Sequence, residues 1–303
     1  MESHLFERID QLRNANHILP LTKGLSDDQK YIIDQQFLLR IFPTEHQIKR
    51  KKEFDTIHKL SNFSNYVPKT IEFNHLEDLN KSYMILTFLP GKDADEGLKE
   101  LTPIEQYDAG FLAGKELEKL HRFFAPPSYP SWYTVKKKKS DHYLLGLKNI
   151  NVDKRIKQLL ESYIKENEKL MIGRPNTFQH DDFHPSNLLI KDKTFAGIID
   201  FERMDWGDPI HDLQKLGFFS KQVSVEFTRG VIDGYLDAQT IDSSSFWELY
   251  ALYSAMHIVS SLVWGLKIVP ETFDLLLKNS LEVLKDHENF KNNIPKWYLP
   301  SNR

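Results

Sequence analysis

The hydrophobic pattern of this chain changes its period near Pro90-Gly91, and that change limits the folds open to it. Before this point the apolar residues form short runs, such as 37–42 and 83–89, bounded by polar turn residues, as is typical of β-strands. After it, apolar residues recur at helical spacing, notably over 246–266 and 273–287. The pattern predicts an α+β protein whose β-rich part precedes a mainly helical part.

The boundary between the two parts divides the chain into residues 1–90 and 91–303. In the first part, the runs 31–33 and 37–42 predict a hairpin around Asp34-Gln35-Gln36, and a helix is expected over 49–60. In the second part, Thr102-Pro103 with Glu105 is a helix start signal. Two further short strands, over 188–190 and 196–200, are expected among the helices.

Bulk composition excludes several classes of function. The chain has no cysteine, so disulfides, thiolate metal sites and a thiol nucleophile are ruled out. Its 40 basic and 43 acidic residues leave a net charge of −3, which gives no reason to expect a nucleic acid partner. No secretion signal and no apolar stretch of membrane-spanning length stands out. We therefore expect a cytoplasmic protein without a membrane or nucleic acid partner, as monomer or dimer.

The most informative segment runs from His180 to Asp200. Asp182 is followed five residues later by Asn187, and Asp200 follows a predicted strand. In phosphoryl transfer, one carboxylate must orient the attacking hydroxyl, and oxygen ligands must hold Mg²⁺. The spacing predicts Asp182 as the catalytic residue and Asn187 with Asp200 as metal ligands. A zinc site at His180 and His184 is rejected, because a third ligand at metal spacing is missing.

The same segment resembles the catalytic loop and metal-binding aspartate of the protein-kinase-like fold. The His184-Pro185-Ser186-Asn187 run, the sequence Ile199-Asp200-Phe201-Glu202 and the stretch 205–213 are similar to the aminoglycoside phosphotransferase and choline kinase branch. The resemblance implies a two-lobed kinase-like fold and an ATP- and Mg²⁺-dependent phosphotransferase. It also implies structural support roles for His180 and Asp208.

The nucleotide half of the resemblance lies upstream. It implies that Ser26 faces the phosphates, that Arg40 stands where a phosphate-binding lysine is usual, and that Glu53 is its ion-pair partner. The hinge would run through Thr87 and Leu89, whose backbone groups would bind the purine of ATP, with GTP also open. Glu45 is a competing partner for Arg40.

The acceptor is a small hydroxylated molecule, and its identity is less constrained. Glu202 and Asp205, together with Trp264 from the C-terminal helices, suit a cationic acceptor through charge and cation–π contacts, although Trp264 could instead be a core residue. The four lysines 136–139 are interpreted as a solvated loop. Were they to line the acceptor pocket, they would argue against a polycation.

Three functions remain open on this basis. The first is an O-phosphotransferase for an aminoglycoside-like antibiotic. The second is a metabolic kinase for choline, homoserine or a similar alcohol. The third is a nucleotide-binding pseudokinase, against which the intact set of Asp182, Asn187 and Asp200 argues.

Overall fold

Five antiparallel strands form the sheet of the N-terminal part, in the order β1-β2-β3-β5-β4. The structure, a computed structural model, describes residues 6–22, 27–237 and 242–299. The strands of the sheet are β1 (Ile18–Pro20), β2 (Gln29–Ile33), β3 (Phe37–Pro43), β4 (Thr70–Leu76) and β5 (Lys81–Thr87).

The predicted hairpin is confirmed as β2 and β3. Ile33 pairs with Phe37, and Asp34 and Gln35 make the turn with φ of 49° and 57°. Asp34 tolerates this left-handed conformation, and its carboxylate accepts hydrogen bonds from the backbone N–H groups of Asn16 and His17. The turn therefore also fixes the chain that enters β1.

Among the residues that the structure describes, this part contains the α-helices α1 (Asp10–Arg13) and α2 (Gln47–Leu60). The longer one matches the helix predicted over 49–60. Its Ile57 and Leu60, with Leu86 of β5, join the same buried apolar cluster as the helices that follow, so the two parts of the chain share a core. We keep the division at residues 90 and 91 as a proposal.

Helices dominate the chain after Pro90, as expected, and the α+β class is confirmed. They are α3 (Ala94–Gly97), α4 (Pro103–Leu120), α5 (Trp132–Leu147), α6 (Lys154–Asn167), α7 (Lys221–Val223), α8 (Val225–Asp237), α9 (Ser243–Ile268) and α10 (Phe273–Asp286). The predicted start of α4 is a full capping box, in which Thr102 and Glu105 each bind the other's backbone N–H.

Small residues let α4 and α8 pack backbone to backbone. A Cβ atom at Gly114 would lie 2.1 Å from the carbonyl oxygen of Val231, and one at Gly110 would lie 2.1 Å from that of Phe227. This close crossing brings His121, at the end of α4, against Tyr235 of α8, whose hydroxyl lies 2.8 Å from its Nδ1. The other ring nitrogen of His121 lies 3.1 Å from Asp212.

Short strands carry the segment that the sequence singled out. They are β6 (Lys92–Asp93), β7 (Thr177–Gln179), β8 (Leu188–Lys191), β9 (Thr194–Ile198) and β10 (Asp205–Gly207). The predicted pair at 188–190 and 196–200 is the β8–β9 hairpin, while β7 pairs with β10. β6 pairs with β8, so the chain enters the second part directly beside the catalytic segment.

By length and composition alone, α9 is apolar enough to cross a membrane. However, 78% of its most apolar window is buried inside the structure, as in the core helix of a globular protein. Such a helix is weak evidence for a membrane span, and its burial explains its apolar character.

Candidate active site

The loop 180–187 is held by a short 3₁₀ helix, Pro209–Lys215. The carboxylate of Asp212 accepts hydrogen bonds from the backbone N–H groups of His180 at 2.6 Å and Asp181 at 2.7 Å. Asp181 has a φ of 56°, a strained conformation for a non-glycine residue, and these bonds help to hold it there. The loop is therefore fixed before any ligand arrives.

His180 is fully buried and supports the loop from inside. Its Nε2 donates to the carbonyl of Ile199 at 2.9 Å, and its Nδ1 accepts from the backbone N–H of Asp182 at 3.3 Å. Burial lowers the pKa of His180, which agrees with the neutral form that this pair of bonds requires. The side chain joins the catalytic loop to the end of β9.

Asp182 presents its carboxylate to a cavity and is surrounded by cations. Lys215 donates to Oδ1, His184 Nε2 lies 3.4 Å from the same oxygen, and Arg203 Nε lies 3.8 Å from Oδ2. Burial alone would raise the pKa of Asp182, but the hydrogen bond from His184 and the charge of Lys215 outweigh it and hold the pKa well below its ordinary value. The carboxylate is therefore ionised at neutral pH.

Asn187 and Asp200 meet at the base of the β8–β9 hairpin. The backbone N–H of Ile199 donates to the carbonyl of Asn187 at 3.0 Å, which brings Asp200 beside it. The amide nitrogen of Asn187 donates to the carbonyl and carboxylate of Asp182, at 3.0 and 3.1 Å, so its amide oxygen remains as the group suited to bind a metal. Asp200 is exposed and has a φ of 64°.

A cavity of about 290 Å³ opens in front of Asp182. The residues that line it come from α5, the loop 180–187, the turn after β9, the 3₁₀ helix, the helical turn Leu216–Ser220 and helices α9 and α10: Lys136, Lys139, Ser140, Tyr143, Asp181, Asp182, His184, Arg203, His211, Gln214, Lys215, Phe219, Met256, His257, Ser260, Ser261, Trp264 and Leu276.

The lysine run 136–139 lies in α5, so its interpretation as a solvated loop is wrong. Lys136 is buried and hydrogen-bonds to His211, and its ammonium group lies 5.6 Å from the centre of the Trp132 ring. Burial first, and then the charge of Lys139, lower the pKa of Lys136 to about 7. Helical spacing places Lys136, Lys139 and Tyr143 on one face of α5, and this spacing was the signal in the sequence that could have identified them.

Of the three residues expected at the acceptor, only Trp264 lines the cavity, where its ring stacks under the guanidinium of Arg203 at 5.4 Å. Glu202 is instead drawn to the N-terminal part, where Arg50 lies 3.0 Å and Lys49 3.1 Å from its oxygens. Asp205 accepts a hydrogen bond from the hydroxyl of Tyr129 at 2.7 Å. Both carboxylates have other partners, so we no longer expect them to contact the acceptor.

Arg40 forms the predicted ion pair with Glu53, at 2.6 Å, inside a buried cluster of charges. Its Nε and Nη2 also donate to Asp28, at 3.0 and 2.7 Å, and Arg50 bridges the same Asp28 and Glu53. The Nε and both terminal nitrogens of Arg40 are thus each directed at a carboxylate. Glu45 pairs with His46 instead.

The expected hinge follows β5. The Thr87 hydroxyl accepts from the backbone N–H of Lys69, and the N–H of Phe88 donates to Gln36. Within the ranges that the structure describes, no group accepts a hydrogen bond from the N–H of Leu89, whose side chain packs toward Gly197 of β9. Ser26, expected near the phosphates, lies outside the described residues.

Asp208, predicted as a structural support, is fully buried and caps the 3₁₀ helix through the N–H of Ile210. Arg174 binds both of its oxygens, at 2.6 and 2.9 Å, and the hydroxyl of Tyr253 donates to it at 2.7 Å. These contacts tie α9 to the helix that carries Asp212 and Lys215. Lys215 was missed at the level of sequence, because a single lysine in an apolar stretch gives no pattern.

Comparison with solved structures agrees with this architecture. An aminoglycoside phosphotransferase, APH(2'')-Ib with ADP bound, matches with a TM-score of 0.66 and 16% identity over 99% of this chain and 100% of that chain. The gentamicin complex of APH(2'')-IIa matches with a TM-score of 0.66 and 17% identity, over 92% and 94% of the two chains. A thermostable mutant of APH(4)-Ia with AMP-PNP and hygromycin B gives 0.65 and 12%, over 93% and 96%.

These similarities confirm the two-lobed kinase-like fold. Because the sequence identities are this low, they are evidence for the fold and not for the substrate. No curated protein matches the chain in sequence. The sequence model described as the phosphotransferase enzyme family matches residues 17–247, well over half of the chain. Together with the arrangement of Asp182, Asn187 and Asp200, this match leads to one conclusion: the chain belongs to the phosphotransferase enzyme family.

Proposed function

We propose that this enzyme transfers the γ-phosphoryl group of a nucleoside triphosphate to a hydroxyl group of a small molecule bound in the cavity at Asp182. The observation that carries the proposal is the ionised carboxylate of Asp182, which faces the cavity on one side and is bound by the side chain of Asn187 on the other. Asp200 stands beside Asn187 through the Ile199 backbone bond.

In the proposed reaction, the acceptor oxygen attacks the γ-phosphorus while the bond from that phosphorus to the β–γ bridging oxygen breaks. The hydroxyl proton passes to the carboxylate of Asp182, and the nucleoside diphosphate leaves. Asp182 is held in place by Lys215 and Asn187, so it can orient the acceptor without a costly rearrangement.

Mg²⁺ fits the pair of Asn187 and Asp200, because an amide oxygen and a carboxylate are the hard oxygen ligands that this ion prefers. Bound there, it would neutralise negative charge that develops on the phosphate oxygens. Asn187 is oriented for this role by its own bonds to Asp182.

The nucleotide, ATP or GTP, would lie between the two parts of the chain, with its purine at the hinge. The N–H of Leu89 is available to it among the described residues, and Thr87 precedes it at the end of β5. The solved structures with ADP, GDP and AMP-PNP bound support nucleotide binding by this chain. We keep Ser26, Arg40 and Glu53 as candidates on the phosphate side.

An aminoglycoside-like acceptor, the first expectation from the sequence, is supported by the gentamicin, kanamycin and hygromycin B complexes of similar structures. The charge of the cavity opposes it. Lys136 and Lys139 line the wall, and a polycation there would meet like charge. The same argument disfavours choline.

The proposal is tested with Asp182→Asn. We expect kcat for phosphoryl transfer to fall by roughly 10²–10⁴-fold, the contribution of a positioned acid or base. Nucleotide binding, measured by fluorescence titration with Mg²⁺ present, should stay within about twofold of wild type, since Asp182 is proposed to contact the acceptor. Full turnover by Asp182→Asn would show that another group orients the hydroxyl, and a wild-type protein that binds no nucleotide would refute the phosphotransferase proposal.

A further inference from the structure

The acceptor cavity carries an excess of positive charge. Four cationic side chains line it, namely Lys136, Lys139, Arg203 and Lys215, against two carboxylates, Asp181 and Asp182. Lys215 is already bound to Asp182, and Arg203 lies 3.8 Å from the same carboxylate. Asp181 is then the one lining carboxylate left for the two lysines of α5, so an excess of positive charge remains on this wall.

Neighbouring lysines of the same run show the contrast. Lys137, on another face of α5, pairs with Glu168 at 2.9 Å and with Asp141 at 3.3 Å. Lys139 has no ion-pair partner among the described residues, and Lys136 hydrogen-bonds only to the uncharged ring of His211 within them. Two basic side chains of one helix face therefore line the cavity without a carboxylate at ion-pair distance among the described residues, and they share the more distant Asp181.

Two buried polar atoms in the cavity wall also lack a partner. The Nε2 of His257 and the Oε1 of Gln214 are inaccessible to solvent and make no hydrogen bond in the part of the chain that the structure describes. Their side chains are 8% and 5% exposed. An unpaired buried polar atom costs free energy, and these two atoms lie in the wall beneath the cavity surface.

The same positive charges lower the pKa values of basic side chains in the cavity wall. Burial is the first cause that lowers the pKa of His211 and of His257, and the nearby charges of Lys136 and Lys215 add to it. Burial and then the charge of Lys139 lower the pKa of Lys136 in the same way. A bound anion would oppose every one of these cationic contributions.

The volume and aromatic lining set the size of the ligand. At about 290 Å³ the cavity is at the lower end of the roughly 300–1,000 Å³ range of ligand sites, which suits one ring better than a chain of several. Trp264, Tyr143 and Phe219 offer flat surfaces to such a ring.

We infer that the acceptor is a small hydroxylated anion, whose phosphate or carboxylate group is held by Lys136 and Lys139 while a hydroxyl group faces Asp182. The role of that hydroxyl group rests on the proposed phosphoryl transfer. The negative charge of the acceptor is inferred from the cavity alone. An acceptor with several ammonium groups would place like charges against the lysines.

The predicted negative charge of the acceptor is tested by measuring ligand binding in the absence of nucleotide and Mg²⁺. Glucose 6-phosphate, gluconate, glucosamine and glucose share a carbon skeleton and differ in charge, and inorganic phosphate and kanamycin complete the set of probes for calorimetry. We expect the tightest binding from an anion, and the two anionic sugars distinguish phosphate from carboxylate. Lys139→Glu should weaken anion binding by about tenfold or more, or ~1.4 kcal/mol.

Lys138→Glu is the matched control, because Lys138 is exposed in the same run and does not line the cavity. It should bind the anions within about twofold of wild type, a difference well below ~1 kcal/mol. Equal effects of the two reversals, tighter binding of glucosamine or kanamycin, or no anion binding at about 10 mM (Kd weaker than millimolar) would each overturn the inference. If anions bind as expected but no hydroxylated anion is phosphorylated by ATP in the presence of Mg²⁺, the inference about the charge of the acceptor stands. That result would refute the proposed reaction instead.

Discussion

The ammonium group of Lys215 donates both to the carboxylate of Asp182 and, at 2.7 Å, to the backbone carbonyl of Asp181. Lys215 ends the 3₁₀ helix Pro209–Lys215, whose Asp212 binds the N–H groups at the start of the same loop. One short helix thus fixes the backbone of the catalytic loop and the charge of its carboxylate.

Replacing Lys215 with Met should shift the pH dependence of activity. The charge of Lys215 helps to hold the pKa of Asp182 low, while burial acts to raise it, so loss of the lysine should raise that pKa. Because the proposed reaction needs the ionised carboxylate, the acidic limb of kcat/KM should move to higher pH, by roughly one unit or more. Steady-state rates from about pH 3 to about pH 7, a range that includes the ordinary pKa of a carboxyl group, measure this.

Lys221→Met is the control for that experiment. Lys221 forms an ion pair with Asp286 that is similarly sheltered and does not line the cavity. Its loss should leave the acidic limb where it is in the wild type. An unshifted profile for Lys215→Met would mean that Lys215 only anchors the loop.

Lys136→Met should stabilise the fold near neutral pH. The folded-state pKa of Lys136 is about 7, whereas an unfolded lysine titrates near 10.4, so the unfolded state binds more protons between these values. Stability of the wild type should therefore rise with pH across this window. The variant should be more stable by roughly 1–3 kcal/mol at pH 7, and this advantage should vanish near pH 10. Urea unfolding at both pH values measures it, with Lys138→Met as the neutral control.

Arg40→Met should destabilise the protein by about 3 kcal/mol or more, because it removes one cation from the buried ion pairs of Asp28 and Glu53. Lys51→Met removes an exposed ion pair with Asp55 within α2, the helix that carries Glu53, and should cost less than about 0.5 kcal/mol. Urea denaturation compares the two. Similar losses would mean that the buried cluster contributes no more than a surface pair.

Gly114→Ala should destabilise the fold by about 2 kcal/mol or more, since its Cβ would lie 2.1 Å from a backbone oxygen of α8 that cannot move alone. Gly146→Ala is a matched change in α5, where the Cβ would meet only a side-chain methyl of Val263 at 2.8 Å. The alanine gains up to about 1 kcal/mol of helix propensity there. Thermal unfolding compares the stability of the two variants. A Gly114→Ala variant as stable as the wild type would contradict the clash with the backbone of α8.

Local patterns in the sequence were enough for most elements. The hairpin at 31–42, the capped start of α4 and the β8–β9 hairpin each depend on turn residues, caps and apolar periods that act within a few residues. The spacing of Asp182, Asn187 and Asp200 falls within one such hairpin and its loop. Their relative placement was therefore predictable from the sequence.

Contacts between distant segments were not predictable in this way. Glu202 is two residues from Asp200, yet its partners Lys49 and Arg50 lie about 150 positions earlier in the chain. The lysines of 136–139 are read as a polar run in sequence, and only the packing of α5 against the 3₁₀ helix buries Lys136 beside His211.

By itself, the sequence determined the α+β class and the phosphotransferase type of reaction, and it placed Asp182, Asn187 and Asp200 within one loop and hairpin, because these follow from local spacing of residue types. Only the tertiary structure decided the charge of the acceptor cavity. That charge is a sum over α5, the catalytic loop and the 3₁₀ helix. Electrostatic energy depends on distance in space, and segments that lie far apart in the chain contribute to it only once the fold has brought them together.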